Sequence, residues 1–248
     1  VMIGIKNKEE IKLMARACEI VKDTLFLLED KICPGISTNE LDKIAEDYIL
    51  SQGAELGFKG LYGYPSTICI SIEDEVVHGL PSDQNLCEGQ IVGIDVGSIY
   101  KGYYGDHAKS FAVGRISDDK KKLLKVTKEC LYKGIEKATP GNRIGDIGSA
   151  VQEWAESNGY GVVRELVGHG IGSKLHEEPQ IPNYGKSGNG PLIDVGMCFT
   201  IEPMINMGSK DVYTKKDGWT ICTKDGLPSA HFEHTIVVTG EGPKILTI

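Results

Sequence analysis

The 248-residue chain has no run of about eighteen apolar residues, so no segment reads as a membrane-spanning helix. Its start, VMIGIKNKEE, lacks the apolar stretch of a secretory signal, and the expected location is the cytoplasm. No cysteine pair is spaced CxxC, and seven cysteines are an odd number. Both facts argue for reduced thiols rather than a disulfide scaffold. There is no GxSxG elbow, and no GxGxxG opens a helix after a strand, so neither a serine hydrolase nor a dinucleotide site is indicated. Positive charge is in the minority: 27 Lys and Arg stand against 35 Asp and Glu, a net of −8. That balance argues against a DNA partner or any dedicated nucleic-acid binder. No Pro/Gly/Ser linker divides the chain, so residues 1–248 read as one domain, with 40% hydrophobic residues to build its core.

What is present is a duplication. GQIVGIDVG (89–97) and GDHAKSFAVG (105–114) stand against GMCFTIEP (196–203) and EHTIVVTG (233–240). Asp95 and Glu202 each lie six residues after a glycine, and Asp106 and Glu233 each open a strand-like run that closes on a glycine. Upstream, CPGISTNELDKIAEDYILSQG (33–53) matches TPGNRIGDIGSAVQEWAESNG (139–159). The offset is 106 from Pro34 to Pro140 and 107 from Gly89 to Gly196. Two pseudo-symmetric halves, about 8–114 and 115–248, therefore close around one site. Apolar residues at helical spacing predict a helix over 8–30. A second helix is capped by Ser37 with Glu40 three residues on, and ended by Gly53. Strands are expected near 66–72, 91–98 and 107–113. The second half repeats the order, with helices over 119–138 and 144–158 and strands near 161–167, 197–204 and 234–239. The expected class is α+β, with helices on one side of a curved antiparallel sheet. Residues 205–230 read as an irregular insertion, and lysines 120, 121, 122, 125 and 128 as a solvated helix face.

A carboxylate inside an apolar strand is costly unless it is paired or binds a cation. Four of them on matching frames, Asp95, Asp106, Glu202 and Glu233, point to a shared cation site. His169, between the glycines of GHGIG, is placed to join them. Four carboxylates and two divalent cations balance to zero. Oxygen-rich ligands with one nitrogen favour Mn²⁺, Fe²⁺ or Co²⁺, with Zn²⁺ also accommodated. Two such ions about 3.5–4 Å apart share a water and lower its pKa.

The motifs VVHG, GIDVGSIYKGYYGD, GHGIG…HEEP, FTIEPM, KDGWT and EHTIVVT run from about residue 60 to 240. In this order the chain resembles the type I methionine aminopeptidases. The resemblance implies the pita-bread (creatinase/aminopeptidase) fold, and two divalent ions held by Asp95, Asp106, His169, Glu202 and Glu233, with Asp95 and Glu233 each contacting both ions or binding through two oxygens. It implies catalytic roles for His78 and His176 on the substrate, and for Glu202 as acceptor of the water's proton. Tyr64, Cys69 and Trp219 would line the methionine pocket with Leu61 and Leu175, where relatives often carry Tyr and Phe. Three further departures are Glu73 for Asn, His107 for Thr and His231 for Gln. His231 shares strand parity with Glu233 and should face the site; His107 should face away and be structural.

The expected activity is removal of initiator methionine from nascent polypeptides whose second residue is small, by a monomer. Lysines 210, 215, 216 and 224 are candidates for a transient ribosome contact. The alternatives are an aminopeptidase of the Xaa-Pro type, against which the lack of an N-terminal proline-handling domain counts, and a non-catalytic ribosome- or RNA-binding protein of the same fold. Proteins of that last kind lose metal ligands, whereas all five stand here.

Overall fold

A computed structural model describes residues 3–248; Val1 and Met2 of the sequence start lie outside the described residues. The first half forms α1 (Lys8–Glu29), α2 (Thr38–Ser51), β1 (Glu55–Leu56), β2 (Ile68–Ile72), β3 (Glu75–Val77), β4 (Ile91–Tyr100) and β5 (Tyr103–Ala112). The second forms α3 (Asp118–Lys137), α4 (Ile144–Ser157), β6 (Gly161–Val162), β7 (Gly168–Gly170), β8 (Glu177–Ile181) and β9 (Cys198–Ile201). It continues with β10 (Met204–Asn206), β11 (Val212–Thr214), β12 (Ile221–Thr223), β13 (Ser229–His231), β14 (His234–Thr239) and β15 (Gly242–Ile245).

The helix starts follow local chemistry. The Asn7 side chain accepts from the Glu9 and Glu10 amides while Glu10 reaches back to the Asn7 amide, and Ser37 and Glu40 form the reciprocal pair that the sequence predicts. Each helix pair then buries one face on its own sheet. Ile20, Leu28, Leu41 and Ile49 pack on Ile70, Val92 and Ile94 of β2 and β4. Leu131 and Ile147 pack on Phe199, Ile201 and Ile236 of β9 and β14. A fully buried aromatic such as Phe199 contributes about 3–5 kcal/mol against truncation to alanine.

The sheets are antiparallel throughout: β1-β4-β2 with β5 on β4, and β15-β14-β9-β7-β8. A seam joins the halves. Ser110 Oγ donates to the His231 carbonyl (2.9 Å), the Glu233 amide donates to Ala108 O (2.9 Å), and Thr235 Oγ donates to Asp106 O (2.7 Å). Asp106 and Glu233, the two strand-opening acids, meet there.

Residues 205–230 are not irregular. β11 and β12 form a hairpin whose second strand pairs with β3, and β10 pairs with β13 and β6. Strands of three residues are too short to show a period of two, so the sequence concealed them. Of the strand expected near 161–167, only Gly161–Val162 form a strand, and the Val163 amide adds one bond to Met204 O (3.1 Å). Lys120 is not part of a solvated face: its ammonium bonds Glu73 Oε1 (2.8 Å) and Gly89 O (2.7 Å) across the two halves. No helix among the described residues is long and apolar enough to cross a membrane.

Candidate metal centre

On β4 and β5, Asp95 sits opposite Ala108 and Asp106 opposite Gly97. That register places the two carboxylates diagonally on one face. A Cβ on Gly97 would come within 2.4 Å of the Phe58 ring, so the glycine lets that ring close over the strand. Glu202 follows the last residue of β9, and Glu233 precedes the first of β14. His169 is the middle residue of β7. A Cβ on Gly168 would meet Thr200 O at 2.6 Å, and one on Gly170 would meet Glu178 O at 2.2 Å. The glycines thus let β7 slide between β8 and β9 and carry a single side chain inward.

Nδ1 of His169 donates to Gly170 O (3.0 Å), which leaves Nε2 as a lone pair. Nε2 lies 3.6 Å from Asp106 Oδ2 and 3.5 Å from Glu202 Oε1. Ligand atoms of Asp106, His169 and Glu233 all fall within 4.8 Å of one another. Glu202 Oε1 also accepts from Thr200 Oγ at 2.7 Å. Asp106 and Glu233 are buried, while Asp95 and Glu202 open partly onto the cavity. Left to themselves such acids resist ionisation. Burial pushes Asp95 up to about 7 and Glu202 up to about 8, and drives Asp106 and Glu233 well above the usual carboxylate range. Burial pushes His169 down to about 3, so its ring is neutral. Asp95 Oδ1, Asp106 Oδ1 and Glu233 Oε1 are buried without any hydrogen-bond partner. Buried polar atoms of this kind require a partner, and divalent cations supply one that favours the ionised form of all four acids. The donor set and its orphaned oxygens fit a divalent metal.

Every sequence-predicted site residue reaches one cavity of about 460 Å³. His78 enters it from a left-handed backbone (φ 59), because a Cβ on Gly79 would come within 2.2 Å of Ile70 O and the chain must turn sharply there. Burial pushes the His78 imidazole down, helped by the nearby His176. His176 stands at the exposed mouth, edge-on to His169 with ring centroids 4.5 Å apart. Tyr64, Cys69, Leu175 and partly buried Leu61 and Trp219 form one apolar wall. Tyr64 meets Trp219 edge to face at 5.1 Å and anchors its hydroxyl on Ile68 O and Gly79 O. His231 faces the cavity; its Nε2 has no partner and burial lowers it to about 3. His107 points to the opposite side, where Nδ1 donates to Glu233 O (2.5 Å) and the ring stacks on His234 at 4.7 Å. Glu73 accepts the Ile91 amide and pairs with Lys120. Among the cavity residues that sequence reasoning missed are two aromatics, Phe58 and Tyr62. The glycines on both sides of Tyr62 in GLYGY were the available signal for it.

The Metallopeptidase family M24 model matches residues 12–240. The chain belongs to metallopeptidase family M24. It is 50% identical over 247 residues to the methionine aminopeptidase of Clostridium perfringens, covering 100% of this chain and 99% of that one. It is 50% identical over 246 residues to methionine aminopeptidase 1 of Bacillus subtilis, covering 99% of each. The crystal structure of methionine aminopeptidase from Rickettsia prowazekii superposes with a TM-score of 0.98 at 42% identity over 100% of both chains. Prolidase from Pyrococcus furiosus, at 28% identity, gives 0.81 over 98% of this chain and 65% of the prolidase. This M24 chain thus has the pita-bread fold, and it is a metal-dependent peptidase in which Asp106, His169 and Glu233 form a compact candidate metal-binding group.

Proposed function

We propose that the chain hydrolyses the first peptide bond of nascent polypeptides, releasing the initiator methionine when the second residue is small. One observation carries the reading: a single cavity has four carboxylates and a neutral histidine at its floor and an apolar wall of Tyr64, Cys69, Leu175 and Trp219 beside them. Full-length relatives named methionine aminopeptidase, at 50% identity, support it. Asp95, Asp106, His169, Glu202 and Glu233 would hold two divalent ions, Mn, Fe, Co or Zn, which when bound supply Lewis acidity and draw a water's pKa toward neutrality.

The protein's own groups do the rest. Glu202, one oxygen of which is held by the Thr200 hydroxyl at 2.7 Å, takes the water's proton and passes it to the leaving amine nitrogen. His176 donates to the scissile carbonyl oxygen, and His78 holds the amide whose nitrogen leaves. The methionine side chain lies along Tyr64, Cys69, Leu175 and Trp219, with Leu61 at the rim. The second side chain must sit beside the ions on the cavity floor, which favours a small one.

In this reading the whole chain is one catalytic domain of two pseudo-symmetric halves, monomeric and cytoplasmic. Exposed Lys210, Lys216 and Lys224 would serve a transient ribosome contact. Lys215 is committed to Glu75 at 2.6 Å and is left out. The deciding experiment strips metal, restores Mn²⁺, Fe²⁺, Co²⁺ or Zn²⁺ singly, and follows Met-Ala-Ser beside Ala-Pro and Met-Lys peptides. Metal-dependent release of methionine from the first alone is expected. Preferred cleavage of Ala-Pro would establish the Xaa-Pro alternative, and no cleavage of any peptide would favour a binding protein.

A further inference from the structure

Tyr62 occupies a costly position without an evident packing reward. Its backbone is left-handed (φ 51, ψ 17), a region that side chains other than glycine rarely adopt, and 75% of its surface is exposed. The conformation is imposed by a tight loop. Gly60 and Gly63 flank it at φ 88 and 87. The Leu61 amide bonds Phe58 O (2.9 Å), the Gly60 amide bonds Tyr64 O (2.8 Å), and the Tyr64 amide bonds Leu61 O (2.9 Å). The loop delivers the phenol to one place. The Tyr62 ring lies parallel to the His176 imidazole, with an interplanar angle of 9° and centroids 5.8 Å apart. The Tyr62 hydroxyl is 3.4 Å from His176 Nδ1. The His176 ring also stands nearly perpendicular to His169, at an interplanar angle of 82° with centroids 4.5 Å apart.

We propose that Tyr62 is a positioning residue for His176: its hydroxyl donates to Nδ1, so that the imidazole carries its proton on Nε2 and presents that N–H to the substrate carbonyl. A neutral imidazole has one donor and one acceptor nitrogen, and the partner of the first decides the role of the second. His176 is solvent-exposed at the mouth, where an unrestrained ring would exchange tautomers and flip. The parallel stack limits the ring's rotation and the hydroxyl selects the tautomer. Such contacts run long in the free enzyme and tighten with substrate bound. The inference rests on the substrate-contacting role given to His176 above and adds the group that orients it.

The test uses the metal-loaded enzyme with Tyr62→Phe, Tyr62→Ala and His176→Ala, and a diamagnetic, ¹⁵N-histidine-labelled sample for long-range ¹H–¹⁵N correlation. His176 signals are assigned by their loss in His176→Ala. In the wild type, Nδ1 should be unprotonated and Nε2 protonated. In Tyr62→Phe, which keeps the stack, the two shifts should move toward an average. In the same variant kcat on Met-Ala-Ser should fall about tenfold, the lower end for partners that orient a functional group, while KM changes little. Unchanged ¹⁵N shifts and kcat in Tyr62→Phe overturn the proposal, as does a defect confined to Tyr62→Ala, which would assign the effect to the stack alone. If His176→Ala keeps full activity, the role of His176 fails, while the shifts in Tyr62→Phe still decide whether the hydroxyl sets the tautomer.

Discussion

The two halves carry acids on the same frame but hold them differently. Asp95 and Asp106 lie inside a continuous ten-residue ladder, with paired residues before and after each along its strand. Glu202 and Glu233 lie at strand ends, just past Ile201 and just before His234. The ladder fixes the first pair; the second depends on individual hydrogen bonds, Thr200 Oγ to Glu202 and His107 Nδ1 to Glu233 O. A duplicated sequence frame therefore specifies where a carboxylate arrives without specifying what holds it there.

The largest expected effect ignores this difference. Asp95→Asn and Glu202→Gln should each lower kcat on Met-Ala-Ser by at least about 10³, with circular dichroism unchanged, because each removes a carboxylate from the proposed metal site. Full activity of either variant with added Mn²⁺ or Co²⁺ would defeat the two-ion reading.

The next expectation exposes the difference. Thr200→Val removes an orienting hydroxyl in the second half and should weaken metal affinity about 10–100-fold by calorimetry. Ser98→Ala, on β4 in the first half, removes only a bond to Ala17 O and should leave that affinity unchanged. Equal losses would mean the ladder is no firmer a mount than the strand end.

His107→Thr should cost about 1–2 kcal/mol in urea unfolding, the scale for one buried hydrogen bond and its packing, with metal stoichiometry intact. Loss of bound metal by elemental analysis would show that His107 reaches through Glu233 to the site.

The smallest effect concerns the apolar wall. Leu61→Tyr and Leu175→Phe should sharpen selectivity for methionine over norleucine and phenylalanine substrates by about 1–3 kcal/mol at most. Because Leu175 is 5% exposed, the added ring should also destabilise the fold by about 1–3 kcal/mol. Unchanged relative kcat/KM across the three substrates would remove both positions from the pocket.

Much of this was legible in the sequence, where information is local. The Ser37–Glu40 cap, the apolar faces of the four helices and the paired glycine-to-acid spacings each lie within a few residues. The twelve predicted site residues converge because strand register turns those spacings into geometry. What escaped was information carried between distant segments. Lys120 looks solvated until Glu73 and Gly89 are folded against it. The strands within 204–231 exist only through partners such as Val77 and Val162. Tyr62 gains its meaning from His176, 114 positions away.

The seam between the halves has a consequence for how substrate enters. Ser110, Ala108 and Asp106 are laced to His231, Glu233 and Thr235 across the line where two lobes would have to part, and Lys120 spans it again. Hinged opening would rupture these bonds together and pull Asp106 away from Glu233. Admission and release must therefore be accomplished by side chains at the rim while the floor stays still. Passage of substrate and product then needs only small, fast motions at the doorway and no breathing of the frame.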